Sequence, residues 1–215
     1  MYDKEYADIW IEYARTGEDQ VRKENIHPFV KKNVNKMGRG QSLLDVGCGW
    51  GIALDYLPQG CHYYGIDPTP EFLRFIRKKY DYKMTNLRNG KLPNNIPFPD
   101  NFFDTVLCSM ALHCTRDLKN SIATLFSKAK SKGRVVIAGF RDDAEHHLRK
   151  GFIRMDVEKE DYVRGLYNLS DKAEIVGEAW LHKEKRTEEL LARHASSTEK
   201  TYLGPFFVGY ECEKQ

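Results

Sequence analysis

The chain has 215 residues, enough for one α/β domain with an extension rather than two full domains. With 41% hydrophobic and 30% charged residues it has material for a core, which excludes a wholly disordered chain. Its 34 basic and 31 acidic residues leave a net charge of +3, too balanced to argue for a nucleic-acid partner. The opening MYDKEYADIW is charged and lacks an apolar stretch, so no signal peptide is expected. No apolar run approaches the ~18 residues of a membrane span. Five cysteines (Cys48, Cys61, Cys108, Cys114 and Cys212) are an odd number lying mostly in or beside predicted strands, which suits reduced thiols in the cytoplasm. Cys108, His113 and Cys114 are near neighbours, but without a paired C-x-x-C no metal site is expected.

Residues 2–37 read as amphipathic helix broken at Arg15–Asp19, and Pro28 interrupts the second segment. Tyr2, Tyr6, Ile9, Trp10 and Tyr13 recur at helical spacing, either as a face packed on the sheet or as part of a lid over a ligand. Leu43, Leu44 and Val46 then read as a buried parallel strand, and Gly47, Gly49 and Gly51 turn the chain sharply into a helix through Leu57. Such a turn lies at the carboxyl end of its strand, where open α/β sheets bind ligands. A second strand, Cys61–Ile66, ends at Asp67, sixteen residues past Gly51. A carboxylate there can accept hydrogen bonds from both hydroxyls of a ribose; the alternative is a helix cap for the amphipathic run behind Pro70.

A short third strand is expected near Tyr82–Leu87, followed by the Pro-rich loop LPNNIPFPDNFFD and a fourth strand, Phe103–Cys108. Ser109, Met110 and His113 fall just beyond its end. A helix over Leu118–Lys130 leads to a fifth strand, Arg134–Phe140, which delivers Arg141, Asp142, Asp143, His146 and His147. Residues 146–172 read as irregular and charged, and the family resemblance given below makes them a variable insert. Ala173–Leu181 and Pro205–Cys212 read as two closing strands, separated by a helix over Lys185–His194 and the polar run Ser196–Lys200.

Three stretches carry a family resemblance. LLDVGCGWG (43–51) resembles motif I of the class I S-adenosylmethionine-dependent methyltransferases, a hydrophobic run, an acid, then GxGxG. YYGIDPTPEFLRFIRKKY is similar to the family's second motif, and SMALHCTRD to its segment after strand four. A nicotinamide fingerprint instead has its third glycine one residue later, at the position of Ile52. The resemblance implies a Rossmann-like three-layer α/β sandwich whose seven-stranded sheet is mostly parallel, with an antiparallel last strand. An N-terminal helical cap over 1–37 would precede the methyltransferase domain proper, 38–215.

By the same resemblance S-adenosylmethionine is the cofactor and S-adenosylhomocysteine the product. Asp45 would orient the methionine end or the loop, and Gly47, Cys48, Gly49 and Gly51 would approach the ligand with their backbone. Asp67 would hold the ribose and Asn86 the adenine. Trp50, Ile66, Pro68, Leu87 and Met110 would form apolar walls, with Ser109 beside them. Tyr6, Tyr13, His113 and Arg141 would shape the acceptor site. His113 is either a general base or a loop-fixing histidine; Asp142 and His146 are further candidates for the base, or parts of a solvated loop. Strand four is followed by Cys108-Ser109-Met110-Ala111 rather than the D/N-P-P-Y/F/W of amino-methylating enzymes acting on DNA bases. The expected acceptor is therefore a small metabolite methylated on O or N, with no nucleic acid and no membrane involved. A protein or RNA methyltransferase and a non-catalytic adenosyl-binding module are the alternatives.

Overall fold

The computed structural model describes residues 4–16, 19–80, 85–144, 152–159, 162–170 and 173–215. Two helices, α1 (Lys4–Thr16) and α2 (Gln20–Val34), precede the sheet. Its strands are β1 (Ser42–Val46), β2 (His62–Asp67), β3 (Thr85–Asn89), β4 (Phe103–Ser109) and β5 (Ala129–Phe140). Helix α3 (Pro70–Lys79) joins β2 to β3, and α4 (Leu118–Lys128) joins β4 to β5. Then come β6 (Phe152–Lys159), β7 (Tyr162–Ser170), β8 (Ala173–Trp180), α5 (Glu184–Leu191), β9 (Ala195–Leu203) and β10 (Phe207–Lys214). The seven-stranded sheet has the order β3-β2-β1-β4-β5-β10-β9. Its first five strands pair in parallel and β10 is antiparallel to both neighbours, as the resemblance implied.

β1 is buried throughout, because helices cover both faces of the sheet. On one face Leu44, Val106 and Ile137 meet α4 and α5 through Ile122, Leu125 and Leu190. On the other, Leu43, Leu107 and Val136 meet α2 and α3 through Phe29, Val30 and Ile76. Phe29 packs so closely on β10 that a Cβ on Gly209 would come within 2.6 Å of its ring.

Several boundaries differ from expectation. Pro28 sits inside α2 rather than ending it, since the buried face of Ile26, Phe29, Val30 and Val34 holds the helix together despite a missing N–H. The stretch after Gly51 is a single 3-10 turn, Ile52–Tyr56, not an α-helix. β3 runs to Asn89, two residues beyond the expected end. Ala173–Trp180 is a strand, but it belongs to a separate antiparallel sheet, β6-β7-β8, built from the expected insert. The strand that closes against β10 is instead β9, which absorbs the polar run Ser196–Lys200. Polar, exposed residues suit it because it is the sheet's edge. No helix among the described residues is long and apolar enough to cross a membrane.

Candidate functional site

The strand order reverses between β1 and β4, so the crevice of this fold opens at their carboxyl ends. One rim is the loop 47–51. The amides of Gly47 and Cys48 both donate to the Ile66 carbonyl at 2.9 Å, fastening the loop to β2. The glycines divide the work. At Gly47 (φ +71°) a Cβ would lie 2.4 Å from that of Ala111, so this glycine lets the two rims approach. At Gly49 (φ +50°) a Cβ would meet nothing within 4 Å. Of the three loop glycines, Gly49 is the one whose missing side chain leaves open space above a left-handed backbone.

Asp67 ends β2 and is 6% exposed. Its Oδ2 accepts from the Gly49 amide at 3.0 Å and its Oδ1 from the Thr69 amide at 2.8 Å. Burial raises its pKa, opposed by those two amides. The carboxylate therefore joins the glycine loop to the start of α3. Asp45 lies deeper, 4% exposed, with the Tyr63 hydroxyl donating to its Oδ2 at 2.8 Å. Burial pushes its pKa up to about 7; the Tyr63 bond works against this and the nearby Asp67 adds to it. Cys48 beside them is buried, its thiol pushed well above the usual range by burial and both carboxylates. Asp45 thus supports the loop from beneath.

Ile66 and Pro68 at the end of β2, with Ser109 and Met110 at the end of β4, flank the crevice. Met110 has φ +54°, a strained setting for a side chain that long, fixed by its amide bonding the Ala138 carbonyl at 2.8 Å. Leu87 is a core residue and Asn86 is exposed opposite Tyr64, in the middle of β3. The residue level with Asp67 is Asn89, whose side-chain amide donates to the Pro68 carbonyl at 3.0 Å. Asn86 thus lies three positions before the carboxyl end of β3, which runs later than its sequence indicated, and Asn89 stands at that end.

The N-terminal helices come over the loop. Trp50 stacks on Trp10 (centroids 6.1 Å apart, 16° between planes) and meets Phe72 edge-on at 6.1 Å. Tyr13 contacts Trp10 edge-on at 5.6 Å, one shell out from the loop. Tyr6 belongs to α1, but its side chain lies outside the described residues. Sequence reasoning missed Arg22, whose guanidinium lies 4.2 Å from the Trp10 ring centroid and 5.1 Å from that of Trp50. Its flanks, Val21 and Lys23 in a charged helix, gave no signal.

The opposite rim holds His113, in the 3-10 turn Leu112–Cys114. Its ring packs edge-on against Phe140 at 5.0 Å, and its Nδ1 is buried without a hydrogen-bond partner. Burial, aided by the Arg22 charge, holds its pKa down to about 4, so the imidazole is neutral at neutral pH. Arg141, Asp142 and Asp143 follow β5. Arg141 pairs with Asp143 at 2.7 Å and lies over the Tyr202 ring at 4.6 Å. Asp142 is a brace: its amide bonds Glu184 Oε1 and its Oδ2 accepts from the Glu184 amide, each at 3.4 Å. Asp142, Asp143 and Glu184 gather their carboxylates within 4.8 Å, but Arg141 and Lys200 (2.5 Å from Glu184) already compensate them. His146 lies outside the described residues.

Residues 44–137 match the methyltransferase domain family. The chain is 36% identical over 115 residues to a demethylmenaquinone methyltransferase of Geobacillus sp., covering 49% of this chain and 47% of that protein. It is 27% identical over 126 residues to a phthiotriol/phenolphthiotriol dimycocerosates methyltransferase of Mycobacterium leprae, covering 57% and 46%. The chain thus spans about half the length of the curated relatives it matches. Among solved structures, an S-adenosylmethionine-dependent methyltransferase from Clostridium acetobutylicum superposes with a TM-score of 0.67. That match covers 96% of this chain and 99% of the other at 13% identity, a likeness of fold. Motif, strand order and the methyltransferase-domain match over residues 44–137 agree, and the chain is similar in sequence and fold to S-adenosylmethionine-dependent methyltransferases.

Proposed function

We propose that this protein transfers a methyl group from S-adenosylmethionine to an O or N nucleophile of a small apolar metabolite. The observation that carries the reading is the open space over Gly49, whose amide is held by the Asp67 carboxylate at the end of β2. An adenosyl ligand fits that donor set: Asp67 retains lone pairs for ribose hydroxyls, and Gly49 admits the backbone to the ligand's amino-acid end. Bound there, the cofactor supplies a methyl already activated on a sulfonium. The protein's task is to orient the acceptor within ~3–3.5 Å of it and to exclude water. Trp10 and Trp50 would close the cofactor side, and Leu112 and Phe140 the acceptor side.

His113 is our choice for the group that receives a proton from the acceptor. With its pKa near 4 it is unprotonated and ready, but a weak base. That favours acceptors whose proton is already acidic, such as phenols or enols. Asp142, occupied by Glu184, acts as a brace in this reading, and Arg141, paired with Asp143, as a wall. The small-molecule acceptor draws support from the names of the relatives, which act on a quinone precursor and on lipids. A small cavity beside His113 agrees, lined by Leu112, Phe140, Trp180 and Tyr210. We place the protein in the cytoplasm on the strength of its five free cysteines.

Two measurements test this. Calorimetric titration with S-adenosylhomocysteine is expected to show one site of micromolar or tighter affinity; no heat of binding would refute the cofactor assignment. Incubation of metabolite extracts with isotopically labelled S-adenosylmethionine is expected to label a low-mass apolar product. Label confined to protein or RNA would move the acceptor to a macromolecule.

A further inference from the structure

Beside His113 lies a cavity of about 30 Å³, set between β5, β10 and α5. The polar side chains that line it fall into two groups. Three are occupied: His182 Nε2 lies between the Leu112 and Thr115 carbonyls at 3.1 and 2.9 Å, Glu184 holds Lys200 at 2.5 Å, and the Thr187 hydroxyl donates to the Lys183 carbonyl at 3.1 Å. Two are not: the Tyr210 hydroxyl and the His113 Nδ1 are buried without a hydrogen-bond partner among the described residues. Tyr210 is 2% exposed, and burial lifts its hydroxyl above the usual phenol range, so it stays a donor. It pairs with Ile137, three residues before Phe140 at the carboxyl end of β5, and is thus rooted about 10 Å below the strand ends. A phenol sealed there lacks hydrogen bonds that a phenylalanine would never need, so the hydroxyl costs stability unless something bonds it. The cavity's size decides what can enter. It exceeds the ~10–15 Å³ that one water needs and falls far short of the ~150 Å³ that hold a benzene ring. A hydroxyl or carbonyl group fits; a ring does not.

Resting on the methyl-transfer reading above, we infer that Tyr210 is a specificity residue whose hydroxyl donates to a hydroxyl or carbonyl oxygen of the acceptor, an oxygen other than the methylated atom. The methyl is delivered at the crevice between β1 and β4, and β10 stands two strands, about 10 Å, from β4. The atom held by Tyr210 is therefore not the atom methylated. The acceptor carries two polar points, a nucleophile beside His113 and an oxygen that enters the cavity. A compound without that oxygen leaves Tyr210 unpaired, and the site discriminates against it for that reason.

The test takes the acceptor that isotopically labelled S-adenosylmethionine reveals in a metabolite extract and compares it with its analogue bearing hydrogen in place of the second oxygen. On the full chain, the KM of the acceptor is expected to lie about tenfold or more below that of the analogue. Tyr210→Phe is expected to raise the acceptor's KM to the analogue's level and to leave the analogue's KM within about twofold. Its S-adenosylhomocysteine affinity should stay within about twofold by calorimetry. Equal losses on both compounds, the signature of a merely structural hydroxyl, would overturn the inference. So would an acceptor KM that Tyr210→Phe does not move, which would leave the cavity to water. A labelled product with no oxygen beyond the methylated atom would overturn it without any variant. Should Tyr210→Phe fail to fold, the unmodified protein still decides, since equal KM values for acceptor and analogue refute the inference. Absence of any labelled low-mass product would sink the methyl-transfer reading itself, and this inference with it.

Discussion

At the ends of β1 and β2, Asp45 and Asp67 are bonded to a phenol and two backbone amides, with no cation in ion-pair contact among the described residues. After β5 and at the start of α5 two acids have counter-ions: Asp143 meets Arg141 at 2.7 Å, and Glu184 meets Lys200 at 2.5 Å. The first arrangement costs stability, because burial without a counter-ion disfavours the charged form. The second holds a loop to a helix and has little left to offer a ligand. Acids left short of partners in a crevice are the better candidates for a binding role; neutralised ones of the same type are the better candidates for scaffolding.

Gly49→Val gives the sharpest break. Its Cβ would meet no protein atom, so the fold loses only the cost of a left-handed β-branched residue, about 1–2 kcal/mol. Its side chain would fill the space assigned to the ligand, and S-adenosylhomocysteine affinity is expected to drop beyond about 100-fold. Retained affinity in calorimetry would separate the space over Gly49 from the ligand. Asp67→Ala comes next, with an expected loss of roughly 30-fold, about 2 kcal/mol, from the missing ribose acceptor and the loosened Gly49 amide. The scaffold side should answer in the other currency. Glu184→Gln leaves Lys200 without its buried partner and is expected to lower unfolding stability by about 1–3 kcal/mol with nucleoside affinity within about twofold. A large change in affinity there would erase the distinction between the two sides.

The β1–β2 side was the legible one. Alternating glycines after an apolar run, and an acid ending the next strand, are local patterns with a direct geometric consequence, and the loop and the place of Asp67 follow from them, while the mostly parallel sheet was implied by the family resemblance. Asp45 was legible as a residue of that loop but not as one sealed under it, because its partner Tyr63 comes from the neighbouring strand. Arg22 was invisible since its place depends on three elements meeting: α1 through Trp10, the loop through Trp50 and the α2 cap through Asp19. The run Ser196–Lys200 was misread for a related reason. An edge strand with solvent on one side keeps polar residues, and its pairing with β10 is set by a partner later in the chain. Asp142 and Arg141 were candidates because they follow β5 on the ligand side of the sheet, and their contacts with Glu184 and Asp143 also give them structural work.

The remaining prediction is the one most specific to the crevice. Asp45 is raised from 3.8 to about 7, so between those values the folded chain holds a proton that the unfolded chain has released. Its contribution is fully present below pH ~4 and is lost as pH rises through about 7, a fall of at most ~1.4 kcal/mol per pH unit. His113 works in the opposite sense. Lowered from 6.5 to about 4, it stays neutral while the unfolded chain takes up a proton, so its effect makes stability rise with pH across that interval. His27 and His194, also lowered by burial, act with it. In the unmodified protein these rises oppose the fall from Asp45 between pH 4 and 6.5. Asp45→Asn keeps an acceptor for the Tyr63 hydroxyl and cannot ionise, so its denaturant midpoint should climb more steeply with pH than that of the unmodified chain. Asp67 is present in both proteins and drops out of the difference. Parallel curves for the two proteins, measured at pH 5, 6, 7 and 8, would mean that Asp45 is charged in the folded state. Some cation would then have to stand beside it, and the contrast between the two sides of the crevice would be lost.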